Sequence, residues 1–176
     1  MNTPKLICII GAESTGKTTL ARQLASHFGC PWVPEYLREF CDSHQRTPHQ
    51  NEQSLILETQ LMHERAALQR ARVDDRRYVF CDTAPLLTAI YSEFVFADTS
   101  LYARTRALHA RYALTLLLAT DVAWAADGIQ RDGEHVRDPI TKKIGQELTL
   151  MDAPFTRVSG IGDSRLPAAI RAITAA

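Results

Sequence analysis

Apolar and polar positions divide the chain into short apolar runs separated by stretches of helical spacing. Leu6 to Ile10 is an apolar run of strand length, and Thr19 to Phe28 follows with Leu20, Leu24 and Phe28 on one helical face. Gly29 suits a helix C-terminal cap and Pro31 stops continuation, so Trp32 to Pro34 reads as a short second strand. The polar stretch His44 to Gln50, which contains Pro48, reads as a loop. A long helix is expected from about Asn51 to Arg72, with Leu55, Leu61, Met62, Ala66 and Leu68 as its buried side. Tyr78 to Thr83 is a β-rich run that includes an acid, Pro85 to Phe96 and Leu101 to Arg111 are expected helices, and Leu114 to Leu118 is an almost wholly apolar strand. A helix from Pro139 to about Leu150, a strand from Phe155 to Val158 and a last helix from about Leu166 complete the pattern. Strands alternating with helices, and a strand apolar on both faces, predict an α/β fold: a doubly wound parallel sheet of about five strands with helices on both faces.

Length and charge narrow this picture. The 176 residues fit one domain, 1–176, and show no internal repeat, low-complexity segment or interdomain linker. With 20 basic against 20 acidic residues and a formal net charge of +0, broad attraction to nucleic acid or an anionic membrane is not expected. The arginines at 65, 70, 72, 76 and 77 lack an interleaved aromatic platform and read as a solvated basic face. Cys8, Cys30, Cys41 and Cys81 show no metal-site spacing and read as buried thiols in a reducing cytoplasm. No apolar stretch approaches the ~18–20 residues that cross a bilayer. The histidines form no H-x-x-x-H or H-E-x-x-H pair and there is no G-x-S-x-G elbow, so zinc and serine-hydrolase readings fall away.

The chemistry concentrates after the first strand. Gly11-Ala12-Glu13-Ser14-Thr15-Gly16-Lys17-Thr18, followed by Thr19, fills the phosphate-loop pattern G-x-x-x-x-G-K-[ST] between the strand and the helix that the motif requires. Gly11 and Gly16 let the backbone turn so that successive N–H groups point at phosphate oxygens, where the helix N-terminus adds partial positive charge. Lys17 is expected on the β- and γ-phosphates of ATP, and Thr18 on Mg²⁺. Asp82, ending the β-rich run, is expected beside this loop as a Walker-B-type acid. It would hold Mg²⁺ or accept a hydrogen bond from a substrate hydroxyl; the competing reading is an N-cap before Pro85.

Two further clusters stand where open α/β sheets place ligand groups. Glu35-Tyr36-Leu37-Arg38-Glu39 follows the second strand, with an ordinary amphipathic helix start as the alternative. Asp127 to Arg137, with two glycines among charged groups, reads as a mobile lid from which Arg131 or Arg137 would close on the transferred phosphoryl group; a merely exposed loop is the alternative. Ser159-Gly160-Ile161-Gly162 would border the nucleotide base or be a plain turn.

The motifs GAESTGKTTLA, PEYLREF and FCDT, and the stretch LTLLLATDVAWAADGIQRDG, resemble the ribosylnicotinamide kinase domain of NadR-type NAD-salvage proteins, a P-loop kinase or AAA-type ATPase domain. The resemblance implies ATP- and Mg²⁺-dependent phosphorylation of the 5′-hydroxyl of nicotinamide riboside to nicotinamide mononucleotide. It places Glu35, Tyr36, Arg38 and Asp82 on the nucleoside side, and Trp124 and Asp127 near the substrate and lid. The family's Arg two residues after Asp-Gly is displaced here, where Ile129-Gln130 precede Arg131. The family's DNA-binding and adenylyltransferase domains are not expected within these 176 residues. The expected partner is thus a small-molecule substrate, with a related nucleoside or nucleotide kinase, a regulatory ATPase switch and a nucleic-acid-binding ATPase as alternatives. Glu35 is the expected base toward the acceptor hydroxyl, because Asp82 would share its carboxylate with Mg²⁺, while Arg38 and Trp124 would shape the pocket.

Overall fold

The computed structural model describes residues 3–125 and 133–176. Five strands, β1 (Lys5–Ile10), β2 (Trp32–Val33), β3 (Tyr78–Asp82), β4 (Tyr112–Leu118) and β5 (Phe155–Val158), form one sheet in the order β2-β3-β1-β4-β5, with every pairing parallel. The central position of β1 follows from its composition. Ile7 and Ile9 enter one core with Leu20, Leu24 and Ala169, while Leu6, Cys8 and Ile10 enter the other with Leu86, Ile90, Ile140 and Ile144. A strand apolar on both faces is stable only between two helical layers. Helices α1 (Lys17–Phe28) and α7 (Arg165–Ala175) cover one face. The other core is built with α3 (Gln53–Val73), α4 (Pro85–Phe96) and α6 (Arg137–Leu150), while α2 (Tyr36–His44) packs on α3 and α5 (Tyr102–His109) on α4. Cys8, Cys41 and Cys81 are buried and Cys30 is half-buried, and none of the four is in a disulfide. No described helix is long and apolar enough to cross a membrane.

Two local expectations are corrected and one alternative falls away. The buried side of α3 is Gln53, Ile56, Leu57, Gln60, Leu61, Glu64, Ala67 and Ala71, not the stripe through Leu55, Met62 and Ala66. Leu55 and Met62 are 51% and 57% exposed. Polar residues at three of the inward positions hide the true face from a hydrophobicity pattern. Helix α6 begins at Arg137, two residues before Pro139, because proline is tolerated within a first turn where N–H groups lack helical partners. The N-cap of α4 is Ala84, so Asp82 does not cap that helix.

The polar positions of α3 lead into a buried network at the start of β4. Arg111 and the Tyr112 hydroxyl both donate to the Glu64 carboxylate, the latter at 2.8 Å. Burial raises the Glu64 pKa to about 7, against the opposing pull of Arg111 and these hydrogen bonds. Nearby, His109 Nε2 lies 2.9 Å from Thr115 Oγ1, and burial, helped by the Arg111 charge, lowers its pKa to about 4.

Candidate active site

The loop between β1 and α1 has the backbone alternation that makes an anion cradle. Ser14 and Gly16 both adopt left-handed φ, 54° and 80°, which turns consecutive N–H groups toward one side. Gly11 is required by close approach: a Cβ there would meet Thr15 Oγ1 at 2.7 Å and Leu118 Cβ at 3.2 Å. Thr15 Oγ1 donates to Ala12 O at 2.8 Å and Lys17 Nζ to the same carbonyl at 3.1 Å, so the ammonium lies over the loop it serves.

Pairing of β3 with β1 brings Asp82 under this loop, where Thr18 Oγ1 donates to its Oδ2 at 2.5 Å. The next residue, Thr83, is held at φ 77°, rare for a β-branched side chain, while its N–H donates to Ile9 O at 2.8 Å. Burial pushes the Asp82 carboxyl above its ordinary pKa, opposed by Lys17, the Thr18 hydrogen bond, Arg38 and Arg22. Asp82 Oδ1 is buried and makes no hydrogen bond among the described residues. A hard-oxygen pair of hydroxyl and carboxylate, with one carboxylate oxygen unsatisfied, fits a magnesium ion completed by water and phosphate. Among the described residues no group of three or more His, Cys, Asp or Glu forms a preformed metal cage.

From the loop a cavity of about 510 Å³ runs toward α2 and α4. Glu13, Ser14, Thr15, Gly16, Lys17, Thr18 and Thr19 line one end. Glu35, Leu37 and Arg38 come from the start of α2, and Leu87, Tyr91, Val95 and Phe96 from α4. Glu35 is the N-cap residue of α2 but its side chain makes no capping hydrogen bond. It also lines an adjoining recess of about 30 Å³ with Gln53, Gln60 and Thr83. The volume matches small-ligand sites, and the apolar walls of α4 suit a planar ring.

Not every candidate reaches this cavity. Tyr36 is not on its wall: its N–H donates to Gln60 Oε1 at 2.8 Å and its ring stands edge-on to His63, so it joins α2 to α3. The wall beyond the phosphate loop is formed by Val122, Ala123 and Ala125 rather than by Trp124, whose Nε1 is buried without a hydrogen-bond partner among the described residues. Asp127 and Arg131 lie outside the described residues. Arg137 is only 4% exposed, and its Nη2 donates to Ser14 O at 3.3 Å and Val122 O at 2.8 Å. It is thus a buried helix residue beside the phosphate loop rather than part of an exposed connection.

A sequence profile described as an AAA domain matches residues 6–165. The chain belongs to the AAA domain family. No curated protein sequence matches this AAA domain. Among solved structures, it is similar to NadR protein in complex with NR at 22% identity and a TM-score of 0.77, covering 98% of this chain and 51% of that one. NadR protein in complex with NAD and AMP-PNP matches at 20% identity and 0.78, covering 98% and 49%. This AAA domain therefore spans about half the length of those chains. Deoxyadenosine kinase from M. mycoides with bound dCTP matches at 13% identity and 0.67, covering 97% of this chain and 100% of that one. At these identities the likeness is one of fold.

Several groups of the AAA domain's site leave no trace in the sequence pattern. Arg165, 6% exposed at the start of α7, donates from Nη1 to Thr15 O, and from Nη2 to Ala119 O at 3.3 Å and to the Asp121 carboxylate. The other oxygen of Asp121 accepts the Gly160 N–H at 2.6 Å. The N–H of Ala125 donates to Ser14 Oγ at 2.9 Å. A lone arginine in a helical pattern carries no mark of such a contact. The cavity residues of α4 had only one sign, a helix apolar around most of its circumference.

Proposed function

We propose that the chain is an ATP-dependent small-molecule kinase whose acceptor is a nucleoside, with nicotinamide riboside the foremost candidate. The observation that carries this reading is the continuous cavity joining the Lys17–Thr18 end to Glu35 and Arg38, which provides a donor side and an acceptor side in one chamber. The family motifs in the sequence, and a fold shared with NadR protein in complex with NR, support the choice of nucleoside.

In this reading the loop amides bind the phosphates and Lys17 neutralises charge on the transferred group. Thr18 and Asp82 would hold Mg²⁺, which when bound neutralises further phosphate charge. Glu35 orients the acceptor hydroxyl and accepts its proton as the new oxygen–phosphorus bond forms and the phosphoanhydride bond to ADP breaks. Arg38 and the apolar α4 wall position the acceptor.

A coupled ADP-release assay with a panel of nucleosides and nucleoside monophosphates tests this. ADP release that depends on nicotinamide riboside, with nicotinamide mononucleotide as product, is the expected result. Release at the same rate without any acceptor overturns the kinase reading. The likeness to deoxyadenosine kinase favours a second acceptor class, and turnover confined to a purine or pyrimidine nucleoside would select it.

A further inference from the structure

Two consecutive carbonyls of the phosphate loop are held from behind by buried guanidinium groups brought from the far end of the chain. Arg137, opening α6, donates to Ser14 O, and Arg165, opening α7, donates to Thr15 O. Because a peptide group is planar and trans, fixing the carbonyl of residue 14 sets the direction of the Thr15 N–H. In the same way, fixing the carbonyl of residue 15 sets that of the Gly16 N–H. With each C=O directed at a guanidinium, the N–H of the same trans peptide points the opposite way, away from the arginine. A buried arginine is costly unless paired, and Arg165 is paired: Asp121 neutralises it while the same carboxylate accepts the Gly160 N–H. The fork geometry matters, since one nitrogen reaches Thr15 O while the other reaches Asp121 and Ala119 O. A lysine presents a point charge and cannot span both.

We infer that Arg165, fixed by Asp121, is a positioning residue that aims the phosphate-loop amides, with Arg137 doing the same one peptide earlier. This inference rests on the reading of ATP as phosphoryl donor. The brace is placed to act on the nucleotide side, because its hydrogen bonds among the described residues go to Ser14, Thr15, Ala119, Asp121 and Val122.

The test uses the full chain and the variants Arg165→Lys and Asp121→Asn. Binding of a fluorescent ATP analogue, KM for ATP, KM for the acceptor, kcat and thermal stability are measured. Arg165→Lys is expected to raise KM for ATP by about ten-fold or more and to weaken analogue binding in parallel, with acceptor KM within about two-fold of wild type, as small misplacements of binding groups act on the ligand they touch. Asp121→Asn keeps the shape and the acceptor for Gly160 N–H while removing the charge, and is expected to shift the same parameter in the same direction by less. If Arg165→Lys fails to fold, Asp121→Asn alone decides. Unchanged ATP parameters overturn the inference. So does an equal rise in both KM values with lowered thermal stability, which marks a purely structural tie. A wild-type chain that binds no ATP analogue overturns the kinase reading itself, and the brace with it.

Discussion

Thr18 Oγ1 donates to Asp82 Oδ2 at 2.5 Å, joining two residues 64 positions apart whose oxygens are suited to one cation. Asp82→Asn keeps the shape but removes the charge and turns an acceptor into a potential donor. It is expected to raise the Mg²⁺ concentration required for half-maximal activity by about 10–100-fold, the range seen when metal-site groups lose their support. Mg²⁺ titration of ATP-dependent turnover measures this, and an unchanged titration midpoint would remove Asp82 from the metal site.

Lys17 hangs over the phosphate loop with its ammonium on Ala12 O. Lys17→Ala removes the point charge on the transferred phosphate and is expected to abolish turnover. The variant should keep the wild-type melting temperature, because Lys17 is half-buried at the mouth of the cavity and belongs to neither core. Wild-type turnover by this variant would refute the donor site.

At the other end of the cavity stands Glu35, the proposed proton acceptor. Glu35→Gln is expected to lower kcat by roughly 10²–10⁴-fold, the usual contribution of a general base, with ATP binding intact. Steady-state kinetics together with nucleotide titration check both halves. A loss confined to KM for ATP would contradict the assignment.

Glu64 and His109, both under the influence of the Arg111 charge, tilt stability in opposite directions with pH. Glu64 has its folded pKa raised to about 7 from 4.5, so its contribution is fully present below pH 4.5 and is lost as pH rises through 7. His109 has its folded pKa lowered to about 4 from 6.5, so its contribution is present above pH 6.5 and is lost as pH falls through 4. Between these limits they partly cancel in the wild type. Glu64→Gln should leave a chain whose stability rises with pH between 4 and 6.5. His109→Gln should leave one whose stability falls between 4.5 and 7. Denaturant unfolding across this range gives the two slopes, each approaching about 1.4 kcal/mol per pH unit, the value for one proton gained or lost on unfolding.

The parts of the fold and site written in local chemistry were legible in the sequence. The strands β1, β3 and β4 announce themselves by length and apolarity, and the phosphate loop by glycine and lysine at fixed offsets. Asp82 could be placed because it ends a strand that must lie beside β1. The inward face of α3 was illegible because Gln53, Gln60 and Glu64 serve a recess and a buried ion pair, which a hydrophobicity pattern counts as surface. Arg165 and Arg137 were illegible as braces because the loop atoms they hold are backbone carbonyls, which carry no sequence mark. Trp124 is not among the residues lining the cavity although its neighbours Val122, Ala123 and Ala125 are, and an offset of one residue carries no mark in the sequence.

The two margins of the sheet bear on how copies of the chain meet in solution. Strand addition rewards a long, flat border whose free N–H and C=O groups a second chain can match. One border here is β2, only two residues long and followed by Pro34, which has no N–H to offer. The other is β5, four residues long with Thr156 and Arg157 exposed. Neither offers enough ladder to repay the cost of ordering a second chain, and Arg157 on one copy would face Arg157 on another across an antiparallel edge-to-edge register centred there. These short borders, one ended by a proline and the other carrying an exposed arginine, disfavour edge-to-edge joining of a sheet rich in isoleucine and leucine.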